Sequence, residues 1–193
     1  MILRAFRTAL IFISLIQPVA AEETVGKNME VGGRTTPPVG HVALCKAVPW
    51  ECGPTEWDGP LILSDEIMAT ISEINRAINH KIRRVSDQEQ YGVEERWIYP
   101  RTAGDVEDVA LLKRKELAAK GIAVSNLLLT VALAPSGEGT ALVTVTTDKG
   151  DFVLDQATDD VKLWSEVPYK FLKRQSHEAS DKWEKIVDVR SKF

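Results

Sequence analysis

The sequence predicts an α+β fold, with helices first and an antiparallel sheet second. Three observations carry this. Ile67, Ile71, Ile74 and Ile78 recur at helical spacing. A second helical stretch closes at Gly121. After it the pattern changes to short apolar runs separated by turn residues. Helices followed by a run of strands point to segregated layers rather than a parallel α/β sheet.

The first helix is expected from Ser64, a capping residue, to about His80. Asp65 and Glu66 sit in its first turn, where carboxylates favour the helix dipole. Residues 85–92 read as a loop or a short helix. Trp97, Ile98 and Tyr99 form an aromatic knot before Pro100. The second helix spans roughly 106–120, with Asp105 as N-cap and Asp108 three residues on as a capping-box acid. Leu127–Leu133 is an apolar strand broken only by Thr130. Pro135–Gly139 is a turn, and 141–146 and 151–155 form a hairpin around Thr147-Asp148-Lys149-Gly150. Residues 169–175 add a further strand, and Trp164 and Trp183 pack the ends against the sheet.

The N-terminus predicts export. Arg4 and Arg7 precede an apolar run from Ala9 to Ile16, too short to span a bilayer. Val19 and Ala21 then stand at the small-residue positions before a cleavage point. The expected organisation is a signal peptide over 1–21, an extended N-terminal arm over 22–40 and a single domain over 41–193. The expected location is the periplasm, with no transmembrane segment in the mature chain. The full chain carries 24 basic and 28 acidic side chains, and its first 21 residues contain two arginines and no acid. The mature chain is therefore more acidic still, which argues against a nucleic-acid partner.

Cys45 and Cys52 are the two cysteines. In an oxidising compartment they favour a disulfide across a short loop. Two separate thiols, or a metal site shared with His41, are the alternatives. His41, His80 and His177 read as structural or surface residues.

The stretch Gly104-Asp105-Val106-Glu107-Asp108-Val109 through Lys115 resembles the bacterial transglutaminase-like cysteine peptidases, which are exported, papain-like proteins. PPVGHVALC (Pro37–Cys45), QYGVEERWIYP (Gln90–Pro100), GEGTALVTVTTDKGDFVLDQ (Gly137–Gln156) and YKFLKRQS (Tyr169–Ser176) extend the match. The resemblance implies a papain-like, transglutaminase-like fold. It also implies a catalytic cysteine between Gly-Asp and Glu-Asp, a histidine after Gly-Glu-Gly, and an aspartate on the return strand. Those positions here are Val106, Thr140 and Asp155. The tyrosine common after Glu-Asp is Val109.

A cysteine at a helix N-terminus is activated by exposed N–H groups and the dipole, and a histidine takes its proton. Valine has no lone pair to attack with, and threonine is no base near neutral pH. If Asp148 and Lys149 form a two-residue turn, Thr146 pairs with Asp151 and Leu142 with Asp155. Thr140 and Asp155 then share a face of the sheet as diagonal neighbours.

The expected function is that of a catalytically inactive homologue binding a polypeptide or envelope partner. The alternative is a hydrolase of the same fold working by another mechanism. No cofactor is required. Adhesin-cleaving relatives bind calcium through acids around the nucleophile, and Asp105, Glu107 and Asp108 match that cluster. Helix capping explains the same three residues without a metal.

Overall fold

The computed structural model describes residues 26–190, so the expected export segment and its cleavage point lie outside the described residues. In chain order the elements are β1 (Val31–Thr35), α1 (Val39–Ala47), α2 (Asp65–Lys81), β2 (Arg83–Arg84), α3 (Asp87–Tyr91), β3 (Ala103–Gly104) and α4 (Val106–Ala119). There follow β4 (Leu127–Leu133), β5 (Gly139–Thr147), β6 (Gly150–Leu154), β7 (Lys162–Leu163), β8 (Lys170–Gln175) and β9 (Trp183–Ile186). Seven strands form one sheet in the order β1-β9-β8-β4-β5-β6-β7, antiparallel throughout. The short strands β2 and β3 pair parallel on their own.

Strand β4 is central because its sequence, LLLTVAL, has no polar face to offer water. Thr130 is tolerated there because its hydroxyl meets that of Thr144 on β5 at 2.7 Å. The β5–β6 hairpin has the expected register, with Thr146 opposite Asp151 and Thr147 opposite Gly150. The turn needs Gly150, whose φ is 128° and whose backbone lies against Lys27. Residues 31–35, expected within an extended arm, form the edge strand β1 against β9.

Helix α2 starts where expected, with the Ile67 N–H donating to Ser64 Oγ at 3.2 Å. Ile71 and Ile78 are buried, and Ile67 and Ile74 are partly so. Helix α4 packs between α2 and the sheet. Its chain reverses at Gly121, where φ is 91° and the Gly121 and Ile122 N–H groups return to Ala118 O and Leu117 O.

Helix α1 is tied to the core by three rings. The His41 ring lies edge-on to Trp97 and Trp183, with centroids 5.5 and 5.3 Å away. Trp183 Nε1 donates to His41 Nδ1 at 3.3 Å. Burial, helped by Arg114, lowers the His41 pKa to about 4, so the imidazole is neutral and structural. The disulfide between Cys45 and Cys52 is present, with its Cα atoms 5.4 Å apart. It closes α1 onto a 3-10 turn, Pro49–Glu51.

Gly40 has no room for a side chain. A Cβ there would stand 2.2 Å from Trp97 Cδ1 and 2.6 Å from its Nε1. Gly40→Ala is expected to destabilise the fold by about 1–3 kcal/mol, the usual cost of overpacking a rigid contact. Urea denaturation followed by tryptophan fluorescence measures it. An unchanged midpoint would mean that Trp97 can move aside freely.

Candidate functional site at the head of helix α4

The head of α4 holds the acidic sequence Asp105-Val106-Glu107-Asp108. Asp105 has the extended backbone of an N-cap, but no first-turn N–H makes a well-formed hydrogen bond to its side chain. Asp108 Oδ1 instead accepts from the Ile98 N–H at 2.8 Å. The expected capping box is therefore not formed. The physical reason is that the chain at 96–98 and α3 crowd this helix end and compete for its carboxylates. Asp105 Oδ1 and Asp108 Oδ2 are buried without a protein partner.

The structure adds a residue that spacing along the chain did not signal. Asp87, at the start of α3, brings a carboxylate oxygen to within 4.8 Å of oxygens of Asp105 and Glu107. Its Oδ2 accepts from the Arg96 N–H. Asp108 stands beside this trio rather than in it, with its side chain against Gly104.

Crowded, poorly solvated carboxylates resist ionisation. Burial, then the Asp105 charge, raises the Glu107 pKa to about 9. Burial raises that of Asp108 to about 7, against the Ile98 N–H, which favours the charged form. Asp87 and Asp105 are pushed up as well, chiefly by burial.

A cleft of about 260 Å³ opens beside this cluster. Val106 and Glu107 of α4 line it together with Thr140 and Gly139 of β5, Val131 of β4, Lys173 of β8, and Trp97. Val106 and Thr140, far apart in sequence, thus face one cleft. Trp97 is oriented there by its Nε1–H, which donates to Glu95 Oε1 at 2.6 Å.

Asp155 is not among the residues lining the cleft. It lies one residue past the paired part of β6. Its Oδ2 accepts from the Tyr169 hydroxyl at 2.8 Å, and its Oδ1 accepts from the Ala157 and Thr158 N–H groups at 2.7 and 2.8 Å. Lys113 Nζ donates to its backbone oxygen at 2.5 Å. His80 pairs with Asp159 at the surface, and His177 stacks on Trp57. Among the described residues, no histidine lines the cleft.

The model of the bacterial transglutaminase-like cysteine proteinases matches residues 31–191. The chain belongs to that family. Among solved structures it is similar to Legionella pneumophila LapG in its calcium-bound form, at 20% identity with a TM-score of 0.50. That match covers 56% of this chain and 64% of the LapG chain, so it spans less than two thirds of that protein. The EGTA-treated form of LapG matches at 18% identity with a TM-score of 0.51, covering 65% and 69% of the two chains. At these identities the likeness establishes the fold. No curated protein matches the sequence.

The raised carboxyl pKa values set a pH dependence. A carboxyl whose folded pKa is raised binds more protons when folded, so its contribution is complete below about pH 4 and is lost as pH rises through the folded value. For Asp108 and Glu107 the loss runs up to about 7 and about 9. Lys113 acts oppositely. Burial lowers it to about 7, so stability returns as pH rises above that. In chelator, the melting temperature is expected to fall between pH 5 and 7, and Glu107→Gln should flatten the fall. Calorimetry across that range checks this, and a melting temperature that rises instead would contradict the burial of these acids.

Proposed function

We propose that this chain is an exported, non-catalytic member of its family that holds a polypeptide in the cleft beside Val106 and binds calcium at the adjoining carboxylates. The observation that carries the reading is the pairing of Val106 and Thr140 on one cleft at the head of α4. That position suits a nucleophile and its base, and the two side chains present supply neither. Exchanging a thiol for a valine methyl pair keeps volume and apolarity, so the cleft survives the loss of chemistry. Its walls are apolar around Val106, Val131 and Trp97, with Glu95 and Lys173 available to peptide polar groups. The family acts on polypeptides, and the amino-terminal pattern of residues 1–21 supports delivery to the periplasm.

The carboxylates fit calcium. Calcium–oxygen distances of about 2.3–2.6 Å place opposed ligands up to about 5 Å apart. The oxygens of Asp87, Asp105 and Glu107 lie within 4.8 Å of one another, and Asp105 and Asp108 each keep a buried oxygen without a partner. A bound divalent ion would hold these acids ionised at neutral pH. The calcium-bound form of LapG supports the same choice of metal.

Two experiments test the reading. The natural protein is expected to leave peptide and adhesin-fragment libraries uncut, whereas Val106→Cys with Thr140→His restores reacting groups to the cleft. Cleavage by the natural protein would overturn the non-catalytic assignment and favour a hydrolase of another mechanism. A photo-crosslinker at position 140 should capture polypeptide from periplasmic extract, and Val106→Trp should abolish capture by filling the cleft. Undiminished capture would place the partner elsewhere.

The thiol introduced by Val106→Cys also reports on calcium. Flanking carboxylates oppose thiolate formation, and calcium removes that opposition. Alkylation by iodoacetamide is expected to be several-fold faster with calcium than with EGTA, and Glu107→Gln together with Asp105→Asn should erase the difference. Equal rates would argue against calcium beside position 106.

A further inference from the structure

A second cavity, of about 320 Å³, opens two turns further along α4 and shares no lining residue with the first. It lies between α4 and the turn closed by the disulfide. Arg114 and Lys115 form its α4 side, Trp50 and Glu51 stand on the turn, and Ser180 closes it from the loop before β9.

The Arg114 guanidinium is buried and fixed. Its Nε donates to Leu127 O at 3.0 Å and its Nη2 to Ser180 Oγ at 2.6 Å, while Nη1 faces Glu51 Oε2 at 3.4 Å. Lys115 is exposed and sits 4.8 Å over the Tyr99 ring. Trp50 is 82% exposed, the highest value among the exposed large hydrophobic side chains. It does not dangle there. The Cys45–Cys52 bridge and the Cys52 N–H, which donates to Pro49 O, hold its turn in place.

A rigid, water-facing indole beside a cavity walled by a buried guanidinium has the composition of a binding hot spot. Glu51 offsets Arg114, so the cavity's one net positive charge is that of the exposed Lys115, on a chain whose formal net charge is -4. One net charge is too little for nucleic acid, which needs a continuous basic surface. It does favour carboxylates over ammonium groups.

We infer that this cavity is a second docking site, one that takes an acidic stretch of extended polypeptide, with an apolar side chain against Trp50 and a carboxylate drawn to Lys115. The disulfide preorganises the site, which lowers the entropy lost on binding. The inference shares with the cleft reading only the expectation of a polypeptide partner.

The probes are two fluorescein-labelled, capped octapeptides, one alternating aspartate with leucine and one alternating lysine with leucine. Binding to the mature protein is read by fluorescence anisotropy. The acidic peptide should bind more tightly than the basic one and weaken with added salt. Trp50→Ala and Lys115→Glu should each cost about tenfold or more in affinity, the scale of a hot-spot truncation. Both positions are exposed, so neither change threatens folding. Val106→Trp, which fills the first cleft, should leave this binding unchanged, so failure here is separable from failure of the cleft reading. Equal binding of the two peptides, an unchanged affinity in Trp50→Ala, or loss of binding in Val106→Trp would each overturn the inference.

Discussion

The burial of helix α4 is the constraint on which the rest of the structure depends. Every residue from Glu107 to Arg114 is buried. A helix enclosed in this way cannot turn its charged side chains to water, and a buried charge without partners is costly. Lys113 is held by Asp155 O, and Arg114 by Leu127 O, Ser180 and Glu51. These contacts run to β4, to the loop after β6, to the loop before β9 and to the disulfide-closed turn. The helix is thereby satisfied along its second half. At its head Asp108 is met by the Ile98 N–H, while Asp105 Oδ1 and Asp108 Oδ2 go without a hydrogen-bond partner.

Much of the fold was legible because its signals were local. The isoleucine stripe and Ser64 gave α2 almost to the residue. The apolar run of β4 and the turn around Asp148 and Lys149 gave the central strands and their register. Strands β1, β7 and β9 were not legible. They are short, and β1 exposes nearly all its side chains, so no alternation marks it. Helix α4 was placed correctly even though burial on all sides blurs its apolar stripe. Asp105 and Gly121 bound it as expected, but the capping-box bonds are absent because Asp108 turns to the Ile98 N–H, an approach that sequence spacing does not reveal.

The site divides along similar lines. Val106 and Thr140 could be placed through motif positions, and the fold brings them to one cleft. Asp87 could not, since it joins the cluster from another helix and nothing in the spacing links it to Asp105. Asp155 carries a separate lesson. Its carboxylate organises the turn to Thr158 and anchors Tyr169, so it has a structural occupation whether or not chemistry takes place. Its presence is therefore weak evidence of activity, whereas the side chains at 106 and 140 bear on the chemistry directly.

The two margins of the sheet have a consequence for how any partner can approach. At one margin β1 is glycine-rich, and its register against β9 shifts between Val31 and Arg34. At the other, β7 is two residues long. Irregular, abbreviated or charged margins are poor templates for adding a further strand. An incoming chain finds little continuous backbone there to zip onto. Recognition is left to side chains and recesses, which read local chemistry rather than the mere ability to extend.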